Sequence, residues 1–237
     1  MIRTKYLLPN GRVLRYSFHE RLIHWMAAIS YVYLLLSGLA FWTPWLFWIA
    51  IVLGGGTVAR ELHPWFGILF SVAVSWMYGM WHKQMKETPA DKSWWASIRY
   101  YIRNEDEKMP PADRFNPGQK LLFWGFFVNG ILLLITGLIL WFPQYIPWNL
   151  HLLRLISVFL HPVCALFTIA LFIIHVYMGT AMERGAFGSV IRGDVSRAWA
   201  NHHHHSWFQQ VVRDESGNAI AVQAAGSSVE RKTSNLK

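Results

Sequence analysis

The chain has 237 residues, of which 54% are hydrophobic and only 15% are charged, and its formal net charge is +9. The single cysteine excludes an internal disulfide. The apolar residues come in long blocks, which is typical of a membrane protein. The positive charges lie almost entirely outside these blocks, so they indicate membrane orientation and argue against a nucleic-acid partner.

Four apolar blocks are long enough, or nearly so, to cross a membrane. A hydrocarbon core of roughly 30 Å needs about 20 helical residues. The blocks predict spanning helices over residues 22–42, 64–81, 121–142 and 152–178. A fifth apolar run, residues 44–53, is too short to span and ends in glycines, which predicts a loop or an interfacial segment. The first block lacks the features of a removed signal peptide, so we expect it to stay in the mature protein.

The distribution of Lys and Arg predicts which side each end of the chain occupies. In a four-span scheme, 20 of the 22 positive residues fall on the side that carries both termini. The positive-inside rule places that side in the cytoplasm. The sequence therefore predicts an all-α, integral membrane four-helix bundle with both termini in the cytoplasm.

The segments outside the spans divide into a lead, a loop and a tail. Residues 1–21 form a polar cytoplasmic lead, and the spanning domain covers residues 22–180. Its cytoplasmic loop, residues 82–120, mixes Trp and Tyr with Lys and Arg, which is typical of a short amphipathic helix at the interface. Residues 181–237 form a cytoplasmic tail, which we expect to be disordered after about residue 217 because no hydrophobic pattern is sustained there.

Two short patterns carry less information. Spans one and three share a brief echo, Leu-Ser-Gly-Leu at residues 36–39 and Ile-Thr-Gly-Leu at residues 135–138, which is too short to establish a repeat. The run from His202 to His205 is interpreted as part of a native tail, where metal binding would be incidental.

Four histidines lie in the apolar blocks or at their ends, where an ionisable residue is costly and is a functional candidate. His24 lies at the cytoplasmic end of span one, and His63 opens span two at the outer end. His161 and His175 both lie in span four. Their separation of 14 residues corresponds to about 21 Å along a helix and nearly four whole turns, so both face a similar direction.

This spacing predicts two levels with two histidines at each. His63 lies beside His161 at the outer level, and His24 lies beside His175 at the inner level. Two haems of the b type, each held between two imidazoles, need this arrangement. The alternative is that the histidines are polar groups satisfied by hydrogen bonds between helices. That alternative explains one histidine more readily than four that pair by level and face.

Gly38 and the remaining histidines near the spans are weaker candidates. Gly38 lies 14 residues after His24, where it would let a porphyrin edge approach span one or would serve close helix packing, and the sequence leaves both open. His19, His82 and His151 lie at span ends and are expected to be interfacial polar residues, with His82 as the reserve ligand for the inner level.

Five stretches keep a characteristic order and spacing. They are Arg21 to Trp25, Leu62 to Gly67, Phe115 to Lys120, Ile174 to Met178 and Gly185 to Trp207. Together they resemble the cytochrome b (gamma) subunit of membrane-bound, quinone-linked formate dehydrogenases, over about residues 12–210. The resemblance implies a di-haem cytochrome b, with the periplasmic haem held by His63 and His161 and the cytoplasmic haem by His24 and His175.

The resemblance also implies a quinone site at the cytoplasmic side, lined by Asn116, Gly118, Gln119 and His175. Asn and Gln can hydrogen-bond a quinone carbonyl, and Gly lets the ring approach the backbone. Without the resemblance, the pattern predicts only a turn that begins a helix at Asn116, Pro117 and Gly118. The quinone would be menaquinone or ubiquinone, between which the sequence does not distinguish.

The function that the resemblance implies is electron transfer across a bacterial inner membrane. An iron–sulfur (beta) subunit would deliver electrons at the periplasmic face, from a catalytic (alpha) subunit whose molybdenum or tungsten pterin oxidises formate. Electrons would pass through two haems to quinone, whose reduction would take protons from the cytoplasm. Two alternatives stay open: the cytochrome b subunit of a quinone-linked hydrogenase or thiosulfate reductase, and a haem-free membrane anchor or transporter.

Overall fold

The computed structural model describes residues 6–103 and 105–214, which form two compact units. The bundle unit comprises residues 18–86 and 118–184. The small unit comprises the described parts of residues 1–17, 87–117 and 185–237. The disorder predicted after about residue 217 falls outside the described residues.

The described chain is mainly helical, in agreement with the all-α prediction, and has one small two-stranded sheet. The strands are β1 (Val13–Leu14) and β2 (Asp194–Val195). The helices are α1 (Phe18–Trp42), α2 (Trp48–Val52), α3 (Gly56–Trp81), α4 (Pro89–Ala96), α5 (Ile98–Ile102), α6 (Pro117–Trp141), α7 (His151–Tyr177), α8 (Ala186–Ile191) and α9 (Arg197–His203). A π-helical turn, Met178–Met182, extends α7, and residues 205–214 are also helical.

Three helical segments of the bundle unit are long and apolar enough to cross a membrane: Phe18–Trp42, Pro117–Trp141 and Trp148–Met182. A fourth is counted when the segment Pro44–Val52 and α3 are taken as one span, bent by 81°. The multi-pass membrane character predicted from the sequence is therefore confirmed.

The second span differs from its prediction in length. Helix α3 begins at Gly56, eight residues before the predicted start at Pro64. Arg60, Glu61 and His63 interrupt the apolar pattern in its first turns, so hydropathy alone places the start too late. The bend before α3 is possible because Gly54 and Gly55 adopt positive φ angles of 99° and 103°, which are accessible to glycine at little cost.

Neighbouring long helices of the bundle unit run antiparallel, because contacts near the start of one helix fall near the end of the next. Between α1 and α3 these contacts are Glu20–Trp81 and Tyr33–Phe66. Between α3 and α6 they are Trp65–Trp141 and Tyr78–Phe127. Between α6 and α7 they are Thr136–His161 and Asn129–Thr168. The two ends of the bundle unit therefore each receive residues from all four long helices.

The outer surface of the bundle unit is apolar. Ile29 in α1 is 63% exposed, Phe159 in α7 is 65% exposed and Ile173 in α7 is 61% exposed. In water such a surface would be a large apolar patch, whereas hydrocarbon solvates it without cost. The exposed face therefore fits a lipid environment.

A buried polar contact joins α6 to α7. The amide Nδ2 of Asn129 donates to the carbonyl oxygen of Cys164 (2.7 Å) and to the hydroxyl of Thr168. The Thr168 hydroxyl donates to the same carbonyl (2.8 Å). In a medium without water, such a bond between helices replaces an unsatisfied amide and stabilises the pair.

We expect Asn129→Leu to lower the free energy of unfolding of the bundle by about 1 kcal/mol, the range measured for polar contacts between membrane helices. The measurement is an SDS titration in mixed micelles, followed by far-UV circular dichroism. Val128→Leu is the matched control, because Val128 is the preceding residue of α6 and is 52% exposed. Equal midpoints for Asn129→Leu and the unmodified chain would contradict the stabilising role.

The small unit joins segments that are far apart in the sequence. Strand β1 pairs antiparallel with β2, with Val13 opposite Val195. Both valines are buried in one apolar cluster with Trp199 and Trp207. The described parts of the predicted lead and tail therefore pack together, rather than forming independent segments.

A buried Arg–His pair lies at the centre of the small unit. Arg15 is 2% exposed and His204 is fully buried. Nη2 of Arg15 lies 2.9 Å from Nε2 of His204, and Nδ1 of His204 lies 2.6 Å from the carbonyl oxygen of Asp113. Since arginine only donates, Nε2 accepts and the proton is on Nδ1. Burial first, and then the charge of Arg15, lowers the pKa of His204 well below its usual value, so the ring is neutral near pH 7.

This pair predicts that the small unit loses stability in acid. The unfolded chain takes up a proton at His204 near pH 6.5, whereas the folded chain takes it up only at a much lower pH. Stability is therefore complete above about pH 6.5 and falls as the pH decreases toward the folded pKa, by up to about 1.4 kcal/mol per pH unit. Arg15, Arg114 and His203 all oppose protonation of His204.

Amide hydrogen exchange over residues 197–214 would check this, at pH 7.5 and 5.5 after correction for the intrinsic exchange rate. We expect weaker protection at pH 5.5. His205→Gln is the control, because His205 is exposed and its side chain bonds to Asn201 rather than to Arg15 or Asp113. This variant should lose the same amount of protection at pH 5.5 as the unmodified chain. Equal protection at both pH values would rule out the neutral buried state of His204.

Candidate functional site

One pair of histidines lies at the end of the bundle unit where α3 and α7 begin. His63 comes from α3 and His161 from α7, and their ring centres are 6.4 Å apart with the planes at 63°. Both side chains are half-buried. The structure therefore brings together the two residues that were predicted to share the outer level.

Each imidazole of this outer pair donates a hydrogen bond to a hydroxyl from a neighbouring helix. Nδ1 of His63 lies 2.7 Å from Oγ of Ser37 in α1, and Nδ1 of His161 lies 2.8 Å from Oγ1 of Thr136 in α6. Each hydroxyl in turn donates to the carbonyl one turn earlier in its own helix, at 2.7 Å in both cases. The hydroxyl proton is thereby used, so the imidazole is the donor and its Nε2 keeps a free lone pair.

A glycine follows each of these hydroxyl residues and faces the same imidazole. A Cβ atom added to Gly38 would lie 3.8 Å from Cε1 of His63, and one added to Gly137 would lie 3.3 Å from Cε1 of His161. The second distance leaves no room for a side chain unless the ring moves. Gly137 therefore makes space for the imidazole of His161, whereas a side-chain Cβ at Gly38 would make only an ordinary van der Waals contact with His63.

Sequence reasoning missed Ser37 and Thr136 as parts of the site. The signal that could have found them is the echo between residues 36–39 and 135–138, which places a hydroxyl before a glycine in both helices. The same hydroxyl–glycine pair thus occurs in α1 and in α6, and in each helix it lies against a histidine.

A second pair of histidines lies toward the opposite end of the bundle unit. His24 in α1 and His175 in α7 have ring centres 5.9 Å apart, with the planes at 46°. Nδ1 of His24 is buried and has no hydrogen-bond partner among the described residues. His175 is exposed on a helix that crosses the membrane, where an uncovered imidazole is costly. This pair therefore needs a further group to satisfy it.

An aromatic cluster fills the bundle between the two pairs. Tyr31 is buried, and its ring centre lies 5.8 Å from that of Phe70, 6.4 Å from Phe126 and 4.9 Å from Phe172. Phe126 is also 6.1 Å from His175. The space between the two levels is thus packed by rings without a charged side chain.

Both pairs have the separation that a metal ion between two imidazoles requires. A first-row metal ion binds an imidazole nitrogen at about 2 Å, so two opposed ligands place their ring centres about 6 Å apart. The unbonded Nδ1 of His24 and the free Nε2 atoms of the outer pair agree with a bound group. These residues fit the axial ligation of a haem.

The other histidines near the spans are occupied elsewhere. Nδ1 of His82 lies 3.0 Å from the carbonyl oxygen of Tyr78, on whose ring it stacks, and Nδ1 of His151 lies 2.8 Å from that of Trp148. His19 is exposed and packs edge-on against Phe18. Over residues 6–103 and 105–214, no group of three or more His, Cys, Asp or Glu side chains could hold a metal ion.

The residues predicted to line a quinone site fall in both units. Asn116 is buried in the small unit, with 4% of its surface exposed. Gly118 and Gln119 lie in the first turn of α6, within the bundle unit, as does His175. Their grouping around a quinone stays a prediction.

Comparison with known proteins identifies relatives over most of the chain. Residues 15–193 match the family model of prokaryotic cytochrome b561. The nitrate-inducible formate dehydrogenase cytochrome b556(Fdn) subunit of Escherichia coli K12 is 31% identical over 206 residues, 86% of this chain and 93% of the relative. The formate dehydrogenase cytochrome b556(fdo) subunit of the same strain is 30% identical (84% and 93%), and that of Haemophilus influenzae is 28% identical (85% and 84%).

Proposed function

Because the chain belongs to the prokaryotic cytochrome b561 family, we propose that it is the membrane electron-transfer cytochrome b subunit of a formate dehydrogenase complex. The observation that carries this proposal is the pair of imidazoles at each of two levels in one membrane bundle. Three relatives are named as formate dehydrogenase cytochrome b556 subunits, which supports the assignment of the chain to a formate dehydrogenase complex.

The chain holds two b haems. His63 and His161 would hold the outer one, and His24 and His175 would hold the inner one. The ring separations of 6.4 and 5.9 Å support this assignment. A bound haem supplies one-electron chemistry at its iron, and the rings around Tyr31 keep the interior between the two levels free of charged side chains.

The bundle has four spans in the bacterial inner membrane, with both termini in the cytoplasm. The excess of Lys and Arg on the side of the termini supports this orientation. It places His63 and His161 toward the periplasm and His24 and His175 toward the cytoplasm.

The partners of the subunit are an iron–sulfur (beta) subunit at the periplasmic face and a catalytic (alpha) subunit with a molybdenum or tungsten pterin. Quinone is reduced at the cytoplasmic side, where Asn116, Gly118, Gln119 and His175 line its site. Amide side chains such as those of Asn116 and Gln119 can hydrogen-bond a quinone carbonyl, and the protons would come from the cytoplasm. A hydrogenase or thiosulfate reductase partner would use the same four histidines; the relatives' names favour formate dehydrogenase.

Haem content tests the ligand assignment. The unmodified chain, purified from membranes in mild detergent, should carry about two b haems per polypeptide. Loss of one imidazole leaves the iron of that haem with a single protein ligand, so His63→Ala and His175→Ala should each retain about one. The measurement is a dithionite-reduced minus oxidised spectrum with haem quantified per chain.

His151→Ala is the matched control, because His151 is exposed and bonds only to its own segment; it should keep both haems. A well-folded unmodified chain without a Soret band would refute the cytochrome assignment and favour a haem-free anchor or transporter. Loss of both haems in the control would show that haem content reports folding rather than ligation.

Quinone-linked oxidation of the haems tests the quinone site separately. In the intact complex we expect Gln119→Ala to slow reoxidation of the haems by added quinone by about tenfold, the effect of one lost hydrogen bond. Haem content and haem reduction by formate should stay unchanged. Unchanged reoxidation, measured by stopped-flow absorbance, would remove Gln119 from the site.

A further inference from the structure

The two histidine pairs differ in what holds their rings. Each imidazole of the outer pair donates Nδ1–H to a hydroxyl, at 2.7 Å for His63 and 2.8 Å for His161. At the inner pair, Nδ1 of His24 has no hydrogen-bond partner among the described residues. The same chemical group therefore has two different environments within one bundle.

The hydroxyls of Ser37 and Thr136 accept a hydrogen bond from the imidazoles of the outer pair and donate none to them. The Ser37 hydroxyl donates to the carbonyl oxygen of Tyr33, and the Thr136 hydroxyl donates to that of Leu132, both at 2.7 Å. Their own protons are thus engaged, and their oxygens are polarised toward the imidazole by the chain of hydrogen bonds. Both hydroxyl residues are buried, so water does not compete for the imidazole proton.

A hydrogen bond donated from Nδ1–H changes the electronic character of the ring. It raises the basicity of Nε2 as a ligand, fixes the tautomer and orients the ring. A more basic ligand stabilises the more positively charged ferric iron more than ferrous iron. The reduction potential of a haem held this way is therefore lowered.

From this asymmetry we propose that Ser37 and Thr136 are positioning residues that lower the midpoint potential of the outer haem below that of the inner haem. The inference rests on the proposed function, in which His63 and His161 bind the outer haem. The two hydroxyls act through the ligands and touch no reacting atom. The resulting order of potentials favours electron flow from the outer level to the inner level.

Helix α1 also contains a hydroxyl that bonds to its own helix and not to an imidazole. The buried Ser30 lies seven residues before Ser37 in α1, and its Oγ donates to the carbonyl oxygens of Met26 (2.7 Å) and Ala27 (3.0 Å) without contact to a histidine. If Ser37 and Thr136 served the helix alone, their loss would affect a haem no more than the loss of Ser30.

The test is a potentiometric titration of the intact complex, which should resolve two one-electron waves in the haem absorption. We expect Ser37→Ala and Thr136→Val to raise the lower-potential wave and to leave the higher one in place. At a fixed ambient potential, each variant should lower the ferric-to-ferrous ratio of the outer haem three- to tenfold, because a higher midpoint potential favours ferrous iron. A tenfold change corresponds to 59 mV. The low-spin ferric EPR signal of the same haem should shift as well.

Thr136→Ser keeps the hydroxyl and should restore the unmodified potential, and Ser30→Ala should leave both waves unchanged. Two unmoved waves in Ser37→Ala and Thr136→Val chains with full haem content would overturn the inference while leaving the proposed function intact. Movement of the higher-potential wave instead would also overturn it. An unmodified chain without haem would refute the proposed function itself. Two separate positions keep the test decisive if one variant fails to assemble.

Discussion

Hydrocarbon offers no hydrogen-bond partner, so a polar group inside the bundle either bonds within the chain or carries a free-energy cost. This constraint explains why the buried hydroxyls of α1, α6 and α7 bond to carbonyls of their own helices. It also explains why Asn129 reaches across to α7. The hydroxyls of Tyr31 and Tyr33, by contrast, are buried without a hydrogen-bond partner among the described residues, and four ionisable imidazoles lie in the same interior. They lie in two pairs with ring centres 5.9 and 6.4 Å apart, and under the proposed function a bound haem would satisfy each pair.

Histidine has two distinct roles in the chain, and the neighbours of each ring decide which it takes. His204 is enclosed by an arginine and a backbone carbonyl, so both ring nitrogens are occupied by protein and the residue serves the packing of the small unit. His63 and His161 have one nitrogen bonded to a hydroxyl and the other unoccupied by protein. A half-buried histidine with a spare lone pair, facing a second one, is therefore what distinguishes the candidate ligands from His204.

Hydropathy and helical spacing could predict most of the bundle and the partners within each histidine pair. The apolar blocks lie within α1, α3, α6 and α7 or extend past them by a residue, since burial in lipid imposes a long apolar run. The start of α3 could not be predicted from that rule, because Arg60 and Glu61 lie inside the helix. The roles of Ser37 and Thr136 could not be predicted either, because a hydroxyl in a membrane helix satisfies itself equally well against its own backbone. Likewise, nothing in the periodicity of residues 6–17 shows that they pair with a strand some 180 positions later.

One histidine of each pair comes from α7, the last of the long helices, while its partner comes from α1 or α3. A nascent chain that has inserted α1, α3 and α6 therefore carries only one imidazole for each level. Neither pair exists until α7 enters the bilayer and packs against α1 and α6. The order of synthesis thus makes the closing of the bundle and the pairing of the histidines at both levels a single event, and a chain that ends before α7 has neither pair.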